Sequence, residues 1–370
     1  MSQLFTPITI GPLKLANRIV IAPMCQYSAD DGLTTDWHTI HLGHMALSGA
    51  GLLIIEATGV EPIGRITNGC VGLYSDETEA ALKRTIDSVR KYSDIPIMIQ
   101  LAHAGRKGSS QRPWEGGQLL APKDGGWVPQ GPSAIPQLPT EPAPQEIDAA
   151  GLKRIREAFV QATKRSVRIG FEGIELHNAH GYLLHQFLSP IANQRTDAYG
   201  GSLANRMRFP LEVFEAVRAA TPANVSLGIR ISATDWAEGG WTPEESVEYG
   251  NALKALGCDF IDVSSGGVAH QQKIPLGPKY QVPLATQIKK GTGLPTMAVG
   301  LITEAKEAEE IIVNGEADMV ALARGMLYDA RWPWHAAAEL GASVQAPKQY
   351  WRSQPRGLTT LFGDAKTGGR

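Results

Sequence analysis

Gln100, His177 and Arg230 each fall at or near the C-terminal end of an apolar run, and His177 opens the segment His177-Asn178-Ala179-His180-Gly181-Tyr182. Two imidazoles and a phenol at this spacing suit one kind of chemistry. Neutral imidazole N–H groups can donate hydrogen bonds to a substrate oxygen and polarise it. A phenol, with a reference pKa near 10, is a proton donor at neutral pH, suited to quenching a carbanion or enolate. The pair His177 and His180 also resembles half of a zinc site, but no further histidine or carboxylate stands convincingly at a strand end to complete one, and no metal is expected. Satisfied buried histidines and a core tyrosine are the structural alternative. Arg230 is harder to explain as structure, because a guanidinium inside a protein requires an anion. Glu175 or Asp262 could supply it, or a bound ligand could. Cys25 reads by default as a small buried apolar residue.

Elements that would position these groups are visible as eight short β-rich runs, at 19–22, 52–57, 96–101, 171–177, 225–231, 259–264, 295–300 and 318–323. Most are separated by stretches with helical spacing of apolar residues. The stretch 243–257 carries its own start signal: Thr242 as cap, Pro243 at the first helical position and Glu245 completing a capping box. Eight strands alternating with helices predict an α/β chain, a (β/α)8 TIM barrel. A doubly wound open sheet would normally show a glycine-rich phosphate turn after its first strand, where this chain has Pro23-Met24-Cys25. In Phe171-Glu172-Gly173-Ile174-Glu175-Leu176-His177, Ile174 and Leu176 share one face while Glu175 and His177 share the other. The same alternation sends Gln100 and Arg230 inward. Barrel chemistry sits at the C-terminal ends of the strands, where these side chains converge.

Two segments stand outside the repeat. Residues 4–18 predict an N-terminal hairpin around Gly11-Pro12 that closes the barrel's bottom. Residues 103–144 form a long loop insertion after strand three, rich in proline and glycine, expected to act as a lid over the mouth. One barrel domain is expected over 1–340, followed by a tail over 341–370. The chain has 370 residues with 43% hydrophobic and 19% charged, enough for a large core and without a disorder signature. A formal net charge of −2 argues against nucleic acid or an anionic membrane as partner. No apolar run approaches the roughly 20 residues that span a bilayer, and Met1-Ser2-Gln3-Leu4-Phe5-Thr6-Pro7 shows no secretory signal. Three scattered cysteines, Cys25, Cys70 and Cys258, build no disulfide framework. A cytoplasmic protein with reduced thiols is expected.

Four motifs in order then resemble one family, the old yellow enzymes, FMN-dependent ene-reductases, in their bacterial xenobiotic-reductase or thermophilic-like branch. These are Ala22-Pro23-Met24-Cys25-Gln26-Tyr27, Gln100-Leu101-Ala102-His103-Ala104-Gly105-Arg106-Lys107, Glu175 through Leu183, and Arg195-Thr196-Asp197-Ala198-Tyr199-Gly200-Gly201-Ser202 with Asn205-Arg206. The likeness runs from Leu4 to about residue 340. It implies FMN held non-covalently at the mouth, with Pro23, Met24, Cys25, Ala57 and Gln100 against the ring and Arg230 beside N1 and the C2 carbonyl. Gly300, Ala323 and Arg324 would hold the phosphate. Ala323 departs from the family's more frequent glycine, which makes close backbone approach less free.

The resemblance further implies NADPH or NADH as hydride donor and an activated alkene, an α,β-unsaturated carbonyl or a nitro compound, as acceptor. His177 and His180 would hold the carbonyl oxygen, Tyr182 would protonate the α-carbon, and Tyr27 would touch substrate. Cys25 is similar to a cysteine that tunes the flavin. A homodimer or homotetramer is implied, with Trp351 or Arg352 as candidates to reach a neighbour's site. Two other readings remain open from the residues: a flavin-free barrel enzyme acting on a phosphorylated metabolite, and a non-catalytic barrel that binds a ligand or partner.

Overall fold

Alternation decides how these strands close. The computed structural model describes residues 2–363 and 365–366. Strands β1 (Ile8–Ile10) and β2 (Leu13–Leu15) pair antiparallel around Gly11-Pro12, the expected hairpin. Gly11 has φ 56°, and a side chain there would meet the Asp259 carboxylate. The eight barrel strands are β3 (Ile19–Ile21), β4 (Leu52–Gly59), β5 (Ile97–Ala102), then β8 (Gly173–Asn178), β9 (Ser226–Ser232), β10 (Ile261–Ser264), β11 (Thr296–Ala298) and β12 (Met319–Leu322). They close in that order, all parallel, with β12 returning to β3. This is the expected (β/α)8 barrel, with strand bounds within three residues of those read from the sequence.

One face of every strand packs outward. Ile19 and Ile21, Ile97, Ile99 and Leu101, Ile174 and Leu176, and Leu227, Ile229 and Ile231 join one apolar cluster with the surrounding helices. Each fully buried aliphatic side chain of this kind contributes about 1.5–3 kcal/mol. The opposite face fills the barrel in two tiers. The lower tier is apolar: Val20, Leu52, Ile54, Met98, Phe260, Met297 and Met319, sealed below by Ile10 and Leu15 of the hairpin. The upper tier carries Gln100, Glu175, His177, Arg230 and Asp262, all buried. A bulge in β4 between Ile55 and Ala57 lets Ala57 rather than Glu56 oppose Gln100. A bulge re-aims the residue that follows it, and nothing in the run Leu52–Gly59 announces this one.

The helix Pro243–Ala255 begins with the predicted box: Thr242 Oγ1 accepts from Glu245 N (3.3 Å) and Glu245 Oε2 from Thr242 N (3.2 Å). The insertion after β5 contains short 3-10 turns and two short strands, β6 (Gln130–Gly131) and β7 (Gln145–Glu146). Arg106 ties it to the loop after β10, donating to the Val268 carbonyl (2.6 Å). Among the described residues no helix is long and apolar enough to cross a membrane.

Candidate active site

His177 closes β8 on the same face as Glu175, as alternation requires. Its Nδ1 accepts from Ala179 N (3.3 Å), so the neutral ring carries its proton on Nε2. The chain then turns sharply: His180 has φ 57° and Gly181 φ 73°. A Cβ on Gly181 would stand 2.2 Å from the Gly267 carbonyl oxygen, so only glycine fits there. The His180 N–H donates to Ser232 Oγ (2.9 Å), which fixes the turn to β9. As a result the His177 ring lies 5.1 Å from the His180 ring and 4.9 Å from the Tyr182 ring, both edge to face. Burial, followed by the nearby Arg230 charge, pushes both imidazoles well below their ordinary value, so they are neutral. Burial holds the Tyr182 phenol well above its ordinary value, so it keeps its proton.

The structure brings two further residues to this cluster. Lys107 Nζ donates to the His180 carbonyl (2.8 Å) and the Gly267 carbonyl (3.2 Å), and lies 4.9 Å from the Tyr182 ring centre. Burial, then the Arg106 charge, lowers its pKa to about 8. Ser264, at the end of β10, sits with Oγ 2.7 Å from His180 Nε2. Lys107 carries a signal in the sequence, a lysine in the short run His103–Lys107 that follows β5. Ser264 had none beyond its position.

Beneath the cluster, Arg230 Nε lies 3.1 Å from an Asp262 carboxylate oxygen, which settles which carboxylate pairs with it. Gln100 Nε2 donates to Glu175 Oε1 (2.7 Å). The Gln100 amide oxygen and both terminal nitrogens of Arg230 are neither sealed from solvent nor bonded to a described residue. Pro23, Met24, Cys25 and Tyr27 follow β3 at the same end of the barrel. Tyr27 has φ 51° and meets Trp114 of the insertion edge-on, with centres 5.9 Å apart. The Cys25 thiol is pushed up first by a hydrogen bond with Cys70 and then by burial. Ala57 stands beside Gln100 through the β4 bulge.

Gly300, with φ 119°, follows β11 and packs against Tyr280 and Gln281. Ala323 precedes the short helix Arg324–Tyr328, and the Arg324 charge acts on Tyr280. These residues therefore gather at the ends of β11 and β12. The Arg195–Arg206 motif serves as support rather than mouth: Arg195 donates to the Pro132 (3.0 Å) and Ile147 (2.8 Å) carbonyls, and Arg206 pairs with Glu245 (2.6 Å). A cavity of about 730 Å³ lies at the opposite end, between Asn17, Gly49–Gly51, Tyr92–Pro96 and residues 343–347; Trp351 lines it, and none of the mouth residues does.

The model of the NADH:flavin oxidoreductase / NADH oxidase family matches residues 3–342. An NADPH dehydrogenase of Geobacillus thermodenitrificans (strain NG80-2) is 44% identical over 351 residues, 94% of this chain and 98% of the relative. An NADPH dehydrogenase of Listeria innocua serovar 6a is 41% identical over 355 residues, 95% and 99% of the two chains. Among solved structures, morphinone reductase superposes with a TM-score of 0.75 at 28% identity, covering 99% of this chain and 94% of that one. Morphinone reductase in complex with tetrahydroNAD gives a TM-score of 0.74 at 25% identity. A TIM barrel matched along nearly its whole length to these enzymes belongs to the NADH:flavin oxidoreductase family, that of the old yellow enzymes, and is an FMN-dependent oxidoreductase that takes hydride from a nicotinamide nucleotide.

Proposed function

We propose that this enzyme is an ene-reductase, reducing the C=C bond of α,β-unsaturated carbonyls and also accepting nitro compounds. The observation that carries the reading is the cluster itself: two neutral imidazoles and a protonated phenol, edge to face at one end of the barrel. The residues present fit FMN. Gln100 keeps an open acceptor and Arg230 open donors, matching a ring edge that offers an N–H between two carbonyls. Pro23, Met24, Cys25 and Ala57 would line that ring, and Gly300, Ala323 and Arg324 would hold its phosphate. When bound, FMN carries hydride from NADPH or NADH to the alkene.

The chain's own groups do the rest. His177 offers Nε2–H to the substrate's carbonyl oxygen. The Ser264 hydroxyl lies 2.7 Å from His180 Nε2 and 3.3 Å from Gln281 Oε1; when its one proton turns to the imidazole, the His180 proton sits on Nδ1 and gives a second donor. Each good donor to a developing oxyanion contributes about 3–4 kcal/mol. Tyr182 gives its proton to the α-carbon, and the Lys107 ammonium against its ring stabilises the phenolate left behind. Tyr27 touches the substrate from the β3 side. The exposed apolar side chains Trp37, Ile40, Leu327 and Tyr328 leave surface for assembly into a homodimer or homotetramer, and the enzyme would work in the cytoplasm. In this chain Trp351 is turned onto its own tail, donating to the Ala346 carbonyl (3.0 Å), while Arg352 is exposed and is the better candidate to reach a neighbour.

An anaerobic absorption spectrum tests the reading. The flavin band should bleach with NADPH and return on adding 2-cyclohexenone. A band that bleaches and does not return would remove activated alkenes as the substrate class.

A further inference from the structure

Two carboxyl groups and one guanidinium share the buried interior beneath the mouth. Glu175 and Asp262 are each fully buried, and Arg230 nearly so. Glu175 lies on β8 and Asp262 on β10, alternate strands whose inward side chains share a layer in such barrels. Between them β9 presents Gly228, which pairs with Glu175, and Arg230, which pairs with Asp262. Glu175 Oε1 is bonded to Gln100, while its Oε2 and both Asp262 oxygens lack a hydrogen-bond partner among the described residues. Only one negative charge can be balanced there by Arg230, since an uncompensated buried carboxylate is costly.

Resting on the proposed placement of FMN against Gln100 and Arg230, we propose that Glu175 and Asp262 are positioning residues for the cofactor's pyrimidine edge. Asp262 is the ionised partner: it draws Nε of Arg230 inward, so the two terminal nitrogens are the ones left open. Glu175 is the protonated partner. It binds the Gln100 amide nitrogen, so the amide oxygen is the atom left open. The polarity of the floor under the ring, one acceptor beside two donors, is therefore set by residues one layer below. Burial first, then the Asp262 charge, raises Glu175 to about 8, against the opposing pull of Arg230 and Gln100. Burial likewise raises Asp262, opposed by Arg230. The groups that act on Glu175 are Asp262 from β10, Arg230 from β9 and Gln100 from β5.

A neutral Glu175 makes a signed prediction. Below about pH 8 it holds its proton in both redox states and adds nothing to the pH dependence of the flavin potential. Reduction brings negative charge to the layer above and raises its pKa further, so above about pH 8 reduction takes up one extra proton.

Apoprotein and holoprotein of wild type, Glu175→Gln, Glu175→Leu and Asp262→Asn provide the test. FMN affinity is read by quenching of flavin fluorescence, and the midpoint potential by spectroelectrochemistry from pH 6 to 9. Glu175→Leu should weaken FMN binding at least tenfold, while Glu175→Gln, which mimics the neutral acid, stays within about threefold of wild type. The wild-type potential should steepen above about pH 8, and that of Glu175→Gln should not. Asp262→Asn should favour reduced FMN at least tenfold, a rise of about 30 mV for this two-electron couple. Should Asp262→Asn fail to fold, the two Glu175 variants decide. Unchanged affinity in Glu175→Leu together with the same pH slope in Glu175→Gln would overturn the proposal. A wild-type apoprotein that takes up no FMN would instead overturn the placement on which it rests.

Discussion

Each side chain of the cluster owes its protonation state to its surroundings. His177 and His180 are neutral because burial and Arg230 disfavour a second positive charge, and Tyr182 keeps its proton because a buried phenolate would be costly. These states suit a proton donor beside two hydrogen-bond donors. Tyr182→Phe should therefore slow alkene reduction about 100-fold or more, within the range of a lost general acid, and leave flavin reduction by NADPH within about twofold. Stopped-flow traces of the two half-reactions separate these outcomes, and equal losses in both would remove Tyr182 as the proton donor. The residue types and their inward direction could be read from alternation along single strands. The partners could not. That Asp262 rather than Glu175 pairs with Arg230, and that Lys107 lies under the Tyr182 ring, depends on register between strands, which one strand's sequence does not carry.

At the scale of elements, the eight strands, the hairpin and the capped helix were legible because each carries a local signal: period-two apolar residues, Gly11-Pro12, and Thr242 with Glu245. The β4 bulge was not, since the run Leu52–Gly59 is apolar almost throughout and its register is fixed by β5. Position after β5 pointed to an insertion at the mouth, but how the insertion is anchored was hidden as well. Glu61 provides one anchor. It accepts from His103 Nε2 (2.9 Å) and from Arg154 Nε (3.0 Å), joining the loops after β4 and β5 to the helix Ala149–Ile169. Burial alone would raise its pKa, yet the bonds from His103 and Arg154 bring it from 4.5 down to about 2. A depressed carboxylate contributes stability that is full above its unfolded value and is lost as pH falls through the folded one. Glu61→Gln should therefore be less stable than wild type at pH 6, with the gap closing between about 4.5 and 2. Urea melts across that range check it, and a gap independent of pH would remove the ionised carboxylate as the cause.

Across the whole molecule, the barrel's interior divides into an apolar lower tier and a polar upper one. Ile10 of the hairpin seals the lower tier from the end opposite the mouth. Ile10→Ala should cost about 2–5 kcal/mol of stability, with the flavin spectrum and both half-reaction rates unchanged at 25 °C. Thermal melts and stopped-flow measurements on one preparation would show this, and a changed flavin spectrum would mean that the tiers are coupled. The same division bears on descent. Distant sites without shared partners contribute additively, so a lineage can alter its upper tier while the lower one holds the fold above its threshold. Relatives of this barrel are then free to diverge in what they reduce long before they diverge in how they stand up.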